Sequence, residues 1–535
     1  MKILFVAAEV APFSSIGGLS QVMYFLPRAL MKLGHDVRIF TPKYASIDGS
    51  SGLLPANPKL LKSLKSLKIE TEGLSVPAGN NTFLVCNVKS IRLTPKDPLV
   101  YFLENREYYE LRANVYQYAD DHVRFALLSK GCLEWLLLQK VSKVPEVPKV
   151  SKAVVTATSD QAFDTSDTFG TFGTSSGNHW FPDLIHCNDW HTGYLLDMAR
   201  WDKRYQSVFA KTSLVYTVHN FRHQGNGEFR YLPPEKRDIG REPLPDLLSP
   251  KLIESNALVR GIINADMVNT VSKSHAEEVL TREYGEGIDD ILREQRKKLT
   301  GILNGLDTKE LNPAEDPKIK FHYSWQTLSR RTENKLVLQR EFSLPKNPTM
   351  PVFALSGRMD AQKGIDLVME ALPRLLANYQ FQLVVLGGGA ENYRQFFQNL
   401  AVSHPDRIGV HLLPNFSLPR KIFAGADVML MPSKFEPGGI VAMEAMRYGA
   451  VPLVRRTGGL GDIITDFDPG TGIGNGLSFR EFDPWALYGA MVEALTIYKD
   501  WDCWKRLVVN CMRSDYSWDY VAREYDELYR SLLSK

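Results

Sequence analysis

One pattern limits the fold more than any other, and it occurs twice: an apolar run of strand length, a loop, a helical run, and another apolar strand. The chain opens with KILFVAAE, a loop holding Gly17 and Gly18, the helix-period stretch QVMYFLPRALMKLG and the strand HDVRIFTP. Strands joined through a helix pair in parallel, because the crossover returns the chain to the same end of the sheet. TFLVCNV, PLVYFL, DLIHCND, SLVYTVHN, ADMVNTVS and GILNG continue the strands, with helical stretches between them. A second series starts near Pro351 with PVFALSG, IDLVMEALPRLLANY and FQLVVLGGG, then runs through IGVHLLP, DVMLMPS and VPLVRR. The sequence therefore predicts an α/β protein with two doubly wound, Rossmann-like parallel sheets. The polar stretch from about Asp316 to Asn347 reads as the join, which gives domains of residues 1–335 and 336–512. Residues 513–535 read as an amphipathic helix whose aromatic stripe marks core packing.

A length of 535 residues exceeds what one ordinary core supports, in keeping with two domains. The formal charge of +3 is small for that length and gives no case for nucleic acid or a membrane surface as partner. Five scattered cysteines with no CxxC pair argue against a disulfide framework or a zinc site, so a reducing, cytoplasmic setting is expected. The first apolar run flows into a glycine turn with no small-residue cleavage pattern, so it reads as a strand and not as a signal peptide. Residues 141–178, rich in Ser, Thr, Lys, Asp and Gly, read as an inserted, mobile surface loop.

Open α/β sheets bind ligands beyond the carboxyl ends of their strands, and chemistry-bearing residues gather at those ends here. Gly17 and Gly18 lie between the first strand and helix, where glycine lets backbone approach a phosphate, although a plain tight turn explains GGL equally well. Asp189 and His219 end the strands DLIHCND and SLVYTVHN; polar groups so placed either satisfy local backbone or face a ligand. His186 and His191 have metal-like spacing but flank a turn and share no helix face, so no metal is expected. Arg358 and Lys363, in the loop SGRMDAQKG after a strand, suit a diphosphate. Glu436 and Glu444 bracket Pro437, Gly438 and Gly439 in MPSKFEPGGIVAMEAM. Amides freed by the glycines can take a diphosphate, and the two acids can accept sugar hydroxyls on either side of it. Thr457, Gly458 and Gly459 repeat that chemistry after another strand.

Taken in order, AAEVAPFSSIGGLSQV, YADDHVRFALLSKG, HCNDWHTG, YTVHN, GILNGLD, GRMDAQKGIDLV, PSKFEPGGIVAMEAMRYGAVPLVRRTGGLGD and DYSWDYVAREYDELY resemble the glycogen and starch synthases, glycosyltransferase family 5. The resemblance covers nearly the whole chain. It implies the GT-B fold, in which the two sheets face a cleft and the last helix packs back on the N-terminal domain. It implies transfer of glucose, with retention, from a nucleotide sugar, typically ADP-glucose, to the non-reducing end of an α-1,4-glucan such as glycogen or a maltooligosaccharide. No cofactor or metal is implied. Asp189, His219 and Asn304 match positions lining the family's sugar pocket, Arg358 and Lys363 its diphosphate cations, and Glu436 its active-site glutamate. Glu444 is similar to the ribose-binding glutamate of the related family 4. Three departures stand out: Ser15 replaces the lysine of K-x-G-G-L, Gly438 replaces the usual cysteine after EP, and SNALVRG replaces I-N-F-M-K-G-G.

The implied mechanism places the donor between the sheets, with Arg358, Lys363 and helix-end amides stabilising the leaving diphosphate. Glu436 and His219 hold the sugar, and domain closure excludes water. Three rivals remain at this stage: a GT-B transferase for another sugar or acceptor, a non-catalytic glucan-binding protein motivated by Ser15, and a nucleotide-sugar epimerase.

Overall fold

The computed structural model describes residues 1–47, 67–112, 114–140, 180–225, 227–413, 415 and 417–534. The insertion expected at 141–178 lies outside them. Strands β1 (Lys2–Val6), β2 (Asp36–Pro42), β3 (Lys68–Gly79), β4 (Thr82–Ile91), β5 (Leu99–Glu104), β6 (Leu184–Asn188), β7 (Ser213–Val218), β8 (Met267–Thr270) and β9 (Leu299–Gly301) form one sheet in the order β3-β4-β5-β2-β1-β6-β7-β8-β9. From β5 to β9 every neighbouring pair is parallel. β3 and β4 depart from the expected all-parallel sheet, since β4 pairs antiparallel with both β3 and β5. The cause is local. Gly79, Asn80 and Asn81 turn the chain with φ of 106°, 49° and 57°, a left-handed path that Gly and Asn tolerate. A turn that tight leaves no room for a crossover helix, so the strands must run in opposite directions.

The second sheet is parallel throughout: β10 (Val352–Ser356), β11 (Gln382–Leu386), β12 (Ile408–His411), β13 (Val428–Met431), β14 (Val451–Arg455) and β15 (Leu477–Phe479), ordered β12-β11-β10-β13-β14-β15. Each sheet reverses its strand order once, between β1 and β6 and between β10 and β13. The crossovers on either side of such a point lie on opposite faces, which leaves a crevice at the carboxyl ends.

Two hydrophobic cores accompany the two sheets. The second contains Leu306, Leu311, Ile319, Tyr323 and Leu328, so the join lies nearer Leu306 than residue 335. The polar stretch read as a connector is instead packed against the second sheet. Its helix Arg331–Glu341 buries Arg331, Asn334, Lys335 and Gln339. Lys335 Nζ lies 2.7 Å from Asp427, Arg331 Nε donates to the Tyr448 carbonyl at 3.0 Å, and Gln339 donates to Gln382 at 2.8 Å. Polar side chains can be buried when each finds a partner, and composition alone cannot show that.

The chain recrosses from the second core to the first just before its last helix. Leu306 donates its N–H to the Tyr516 carbonyl at 2.7 Å and bridges Ser517 in parallel, so the two crossings run side by side. The helix Trp518–Leu533 then places Trp518, Val521, Tyr525 and Tyr529 in the first core. Each such apolar body contributes roughly 1.5–3 kcal/mol. Tyr529 also meets His186 Nδ1 at 2.6 Å, and the Tyr525 hydroxyl accepts from Asn269 Nδ2 at 3.0 Å. These bonds satisfy polar groups that sheet and helix would otherwise bury alone.

Candidate active site

At the first switch point β1 runs out into Glu9, a residue that sequence reasoning missed. Its buried carboxylate accepts the Ile16 N–H at 2.5 Å and the Gly17 N–H at 3.1 Å, folding the loop back over the strand end. A Cβ on Gly17 would stand 3.3 Å from that carboxylate, whereas one on Gly18 would meet nothing. Ser15 is exposed, with its hydroxyl 2.8 Å from that of Ser20. The only advance signal for Glu9 was an acid directly after an apolar strand.

β6 is followed at once by Asp189, whose φ of 56° and ψ of 176° fall in a region that glycine alone populates freely. Such backbone costs about 1–3 kcal/mol and persists only where the surroundings enforce it. Here the Asp189 N–H donates to the Thr217 carbonyl at 2.9 Å, and its Oδ1 accepts the His219 N–H at 2.8 Å. Burial raises the Asp189 carboxyl pKa, while His219 pulls against it. His219 Nε2 lies 3.2 Å from Asn188 Oδ1, so Asp189 and His219 form one cluster at the ends of β6 and β7.

His186 and His191 are core groups. His186 is held between Tyr529 and Thr217, and His191 packs among Tyr116, Phe125 and Trp190. Burial pushes both imidazoles down to about 3.

At the second switch point Arg358, Lys363, Ser433, Glu436, Gly439 and Val441 line a single cavity. β10 delivers Arg358, whose side chain is 74% exposed and 3.5 Å from Asp360. Lys363 sits in the short turn Ala361–Lys363 capped by Asp360, and it forms an ion pair with Glu436. Gly364, with φ of 68°, lets this turn press on β13: a Cβ there would lie 1.9 Å from the Pro432 carbonyl oxygen. Gly439, with φ of 64°, starts the helix Ile440–Arg447 beside Glu436. Cations, an acid and helix-start amides thus meet at one strand end, an arrangement suited to a charged, hydroxyl-bearing ligand.

Other expected residues stand apart from that cavity. Glu444 is half-buried on the same helix but does not line it; burial raises its pKa, Arg420 lowers it and Glu310 raises it. Asn304 is buried beyond β9, with its Oδ1 lacking a hydrogen-bond partner among the described residues. Gly438 faces the first half, where a Cβ would meet Val271 at 3.8 Å. Thr457, Gly458 and Gly459 are engaged elsewhere. Gly459 donates to the Glu436 and Pro437 carbonyls at 3.0 and 2.9 Å. The Gly458 N–H and the Thr457 hydroxyl donate to Glu278 at 2.8 and 3.0 Å. A Cβ on Gly458 would lie 2.2 Å from the Glu436 carbonyl oxygen, so close backbone packing accounts for this glycine. Glu278 is a second residue that sequence reasoning missed; nothing marks one acid on a polar helix as a cross-domain contact.

Paired parallel-sheet halves of this kind define the GT-B class of glycosyltransferases. The catalytic domain of starch synthase IV from Arabidopsis thaliana, solved with ADP and acarbose, matches with a TM-score of 0.73 and 28% identity, over 100% of this chain and 99% of that one. Sucrose-phosphate synthase from Thermosynechococcus elongatus shares the fold at a TM-score of 0.52 and 17% identity, over 100% and 99%. The starch synthase catalytic domain model matches residues 2–150 and 154–294, and the group 1 glycosyl transferase model matches residues 339–499. Glycogen synthase from Geotalea daltonii is 36% identical over 100% of this chain and 99% of its own, and that from Geobacillus thermodenitrificans 35% over 100% and 98%. The chain belongs to the glycogen and starch synthase family and is a hexosyltransferase. Among the described residues no helix is long and apolar enough to cross a membrane.

Proposed function

We propose that this enzyme transfers glucose from ADP-glucose to the non-reducing end of an α-1,4-glucan, with the anomeric configuration retained. The observation that carries the reading is the meeting of Arg358, Lys363, Glu436 and Gly439 around one cavity at a topological switch point. The relative bound to ADP and acarbose supports an adenine nucleotide and a glucan-like acceptor. In this reading Arg358, Lys363 and the amides that open the helix Ile440–Arg447 draw off the charge that grows on the leaving diphosphate. Lys363 holds Glu436 in the structure described here. An entering diphosphate competes for that lysine and frees the Glu436 carboxylate to accept sugar hydroxyls. Asp189 and His219 orient the sugar from the other half, and Asn304 and Glu444 contribute at its periphery. The reading assigns no metal or cofactor, because fixed cations and amides take the leaving group's charge. Retention proceeds by front-face attack, with a donor phosphate oxygen taking the acceptor's proton. The same reading places the enzyme in the cytoplasm, in keeping with its unpaired cysteines.

Nucleotide release from ADP-glucose and UDP-glucose, with and without glycogen, tests this. Release from ADP-glucose that depends on glycogen is expected. Release from another nucleotide sugar alone would move the reading to a different donor, for which Ser15 is the natural cause. Absence of release with any donor would overturn it.

A further inference from the structure

The helix Lys273–Glu278 leaves the carboxyl end of β8 and grips the second half at three points. The Ser274 N–H and hydroxyl donate to Asp462 at 2.9 and 2.6 Å. The Phe435 ring lies 5.3 Å from that of His275 and is stacked on Tyr284 at 5.8 Å. Glu278 Oε1 takes the Gly458 N–H and the Thr457 hydroxyl.

The third contact is made through hydrogen bonds to a turn that itself packs on Glu436. The turn held by Glu278 is locked on its far side to the backbone of Glu436 and Pro437, whose carbonyls both accept the Gly459 N–H. Gly458 packs so closely on the Glu436 carbonyl that even a methyl group has no room. Phe435, the neighbour of Glu436, is held by the first half as well. A close-packed turn transmits displacement because it has no slack to absorb it. The Glu278 bonds are charge-assisted, and they carry the placement of one half to the acid of the other. Burial raises the Glu278 pKa, but His275, Gly458 and Thr457 outweigh it and the net shift is downward, so the carboxylate is charged near neutral pH. His275 Nδ1 stands 3.8 Å from Glu278 Oε2, beyond hydrogen-bond reach, which leaves Oε1 as the anchoring atom.

We propose that Glu278 is a positioning residue for Glu436. By tying the first half to the Thr457–Gly459 turn, it fixes the Glu436 carboxylate in the pose that transfer needs, and it makes that pose depend on how the two halves are docked. The inference rests on the assignment of Glu436 to the transfer reaction.

Steady-state kinetics on the full chain test it, using Glu278→Ala, Glu278→Asp, Glu278→Gln and, as control, Asp462→Ala. A displacement on the order of 1 Å at a reacting group costs about a hundredfold. Glu278→Ala and the shorter Glu278→Asp are therefore expected to lower kcat about a hundredfold, with KM for the nucleotide sugar changed by less than about threefold. Glu278→Gln keeps an oxygen for the Gly458 N–H and should recover most of the rate. Asp462→Ala removes the Ser274 bonds at the far end of the short helix Gly458–Ile463 but leaves both Glu278 bonds and the Gly459 bonds in place, and should leave kcat within about twofold. Equal losses in Glu278→Ala and Asp462→Ala would overturn the proposal, as would a loss confined to KM or a near-normal Glu278→Ala. Should the alanine variant melt below the assay temperature, the contrast between Glu278→Asp and Glu278→Gln decides the matter in the same way. An inactive parent enzyme would instead sink the functional reading, which separates the two failures.

Discussion

The two switch points share a topology and handle their charges in opposite ways. At the first, Glu9 and Asp189 turn their oxygens onto backbone N–H groups of their own half, and that half's loops are moulded around them. At the second, Lys363 and Glu436 satisfy each other, and Arg358 stands open to solvent. A carboxylate bound to fixed amides shapes a wall, while an ion pair between two side chains offers charges that a ligand can recruit. The first half therefore offers fixed form and the second recruitable charge, and under the proposed function the second would supply the electrostatic stabilisation that lowers a barrier as charge develops.

The largest test of this contrast is Glu436→Ala. Its turnover should fall about a hundred- to a thousandfold, with the melting curve unchanged. A near-normal kcat would erase the distinction between the two sites.

The next test is acid stability, which probes the first half's preference for fixed geometry. His186 and His191 titrate near 3 in the fold because burial disfavours their charge, against an ordinary value of 6.5. Their contribution is complete above pH 6.5. It shrinks as pH falls toward 3, because the unfolded chain takes up protons that the fold refuses. The slope should be about 1.4 kcal/mol per pH unit for each ring. Urea melts between pH 7 and 4.5 measure it, and His191→Phe should flatten the slope by one ring's share; an unaltered slope would show that this ring is not buried neutral.

Asp189→Gly sharpens the comparison further. It relieves about 1–3 kcal/mol of backbone strain and forfeits a carboxylate bond of about 1–3 kcal/mol. The melting temperature should move by only a few degrees, while turnover falls about tenfold as His219 loses its anchor. Unchanged turnover would make Asp189 structural alone.

The smallest effect is expected from Ser15→Lys, which adds a cation to an exposed loop. KM for the nucleotide sugar should fall up to about tenfold, worth about 1.4 kcal/mol, with kcat and stability unaltered. No change in KM would place that loop away from the donor.

The parts that sequence made legible are those where local pattern and position coincide. That Glu436 shares a cavity with Arg358 and Lys363 was legible because each follows an apolar strand in a glycine-bearing loop. The β3–β4 hairpin escaped notice because two asparagines, not the more familiar Asn-Gly, supply its left-handed turn. The helix Arg331–Glu341 looked like a linker because its buried Lys335 and Arg331 have partners far off in sequence. Thr457–Gly459 looked like a second phosphate loop because glycine serves close packing as readily as anion binding. Glu9 and Glu278 gave almost no signal: their roles depend on loops and a domain that no local window contains.

The side-by-side crossings at Leu306 and Ser517 restrict how the halves can move. Two crossings lying side by side form a seam at one edge, while the helix Lys273–Glu278 ties the halves together at another. Any relative motion of the halves would have to break the Glu278 and Ser274 contacts while the seam stays closed, with the final helix supplying the second stitch.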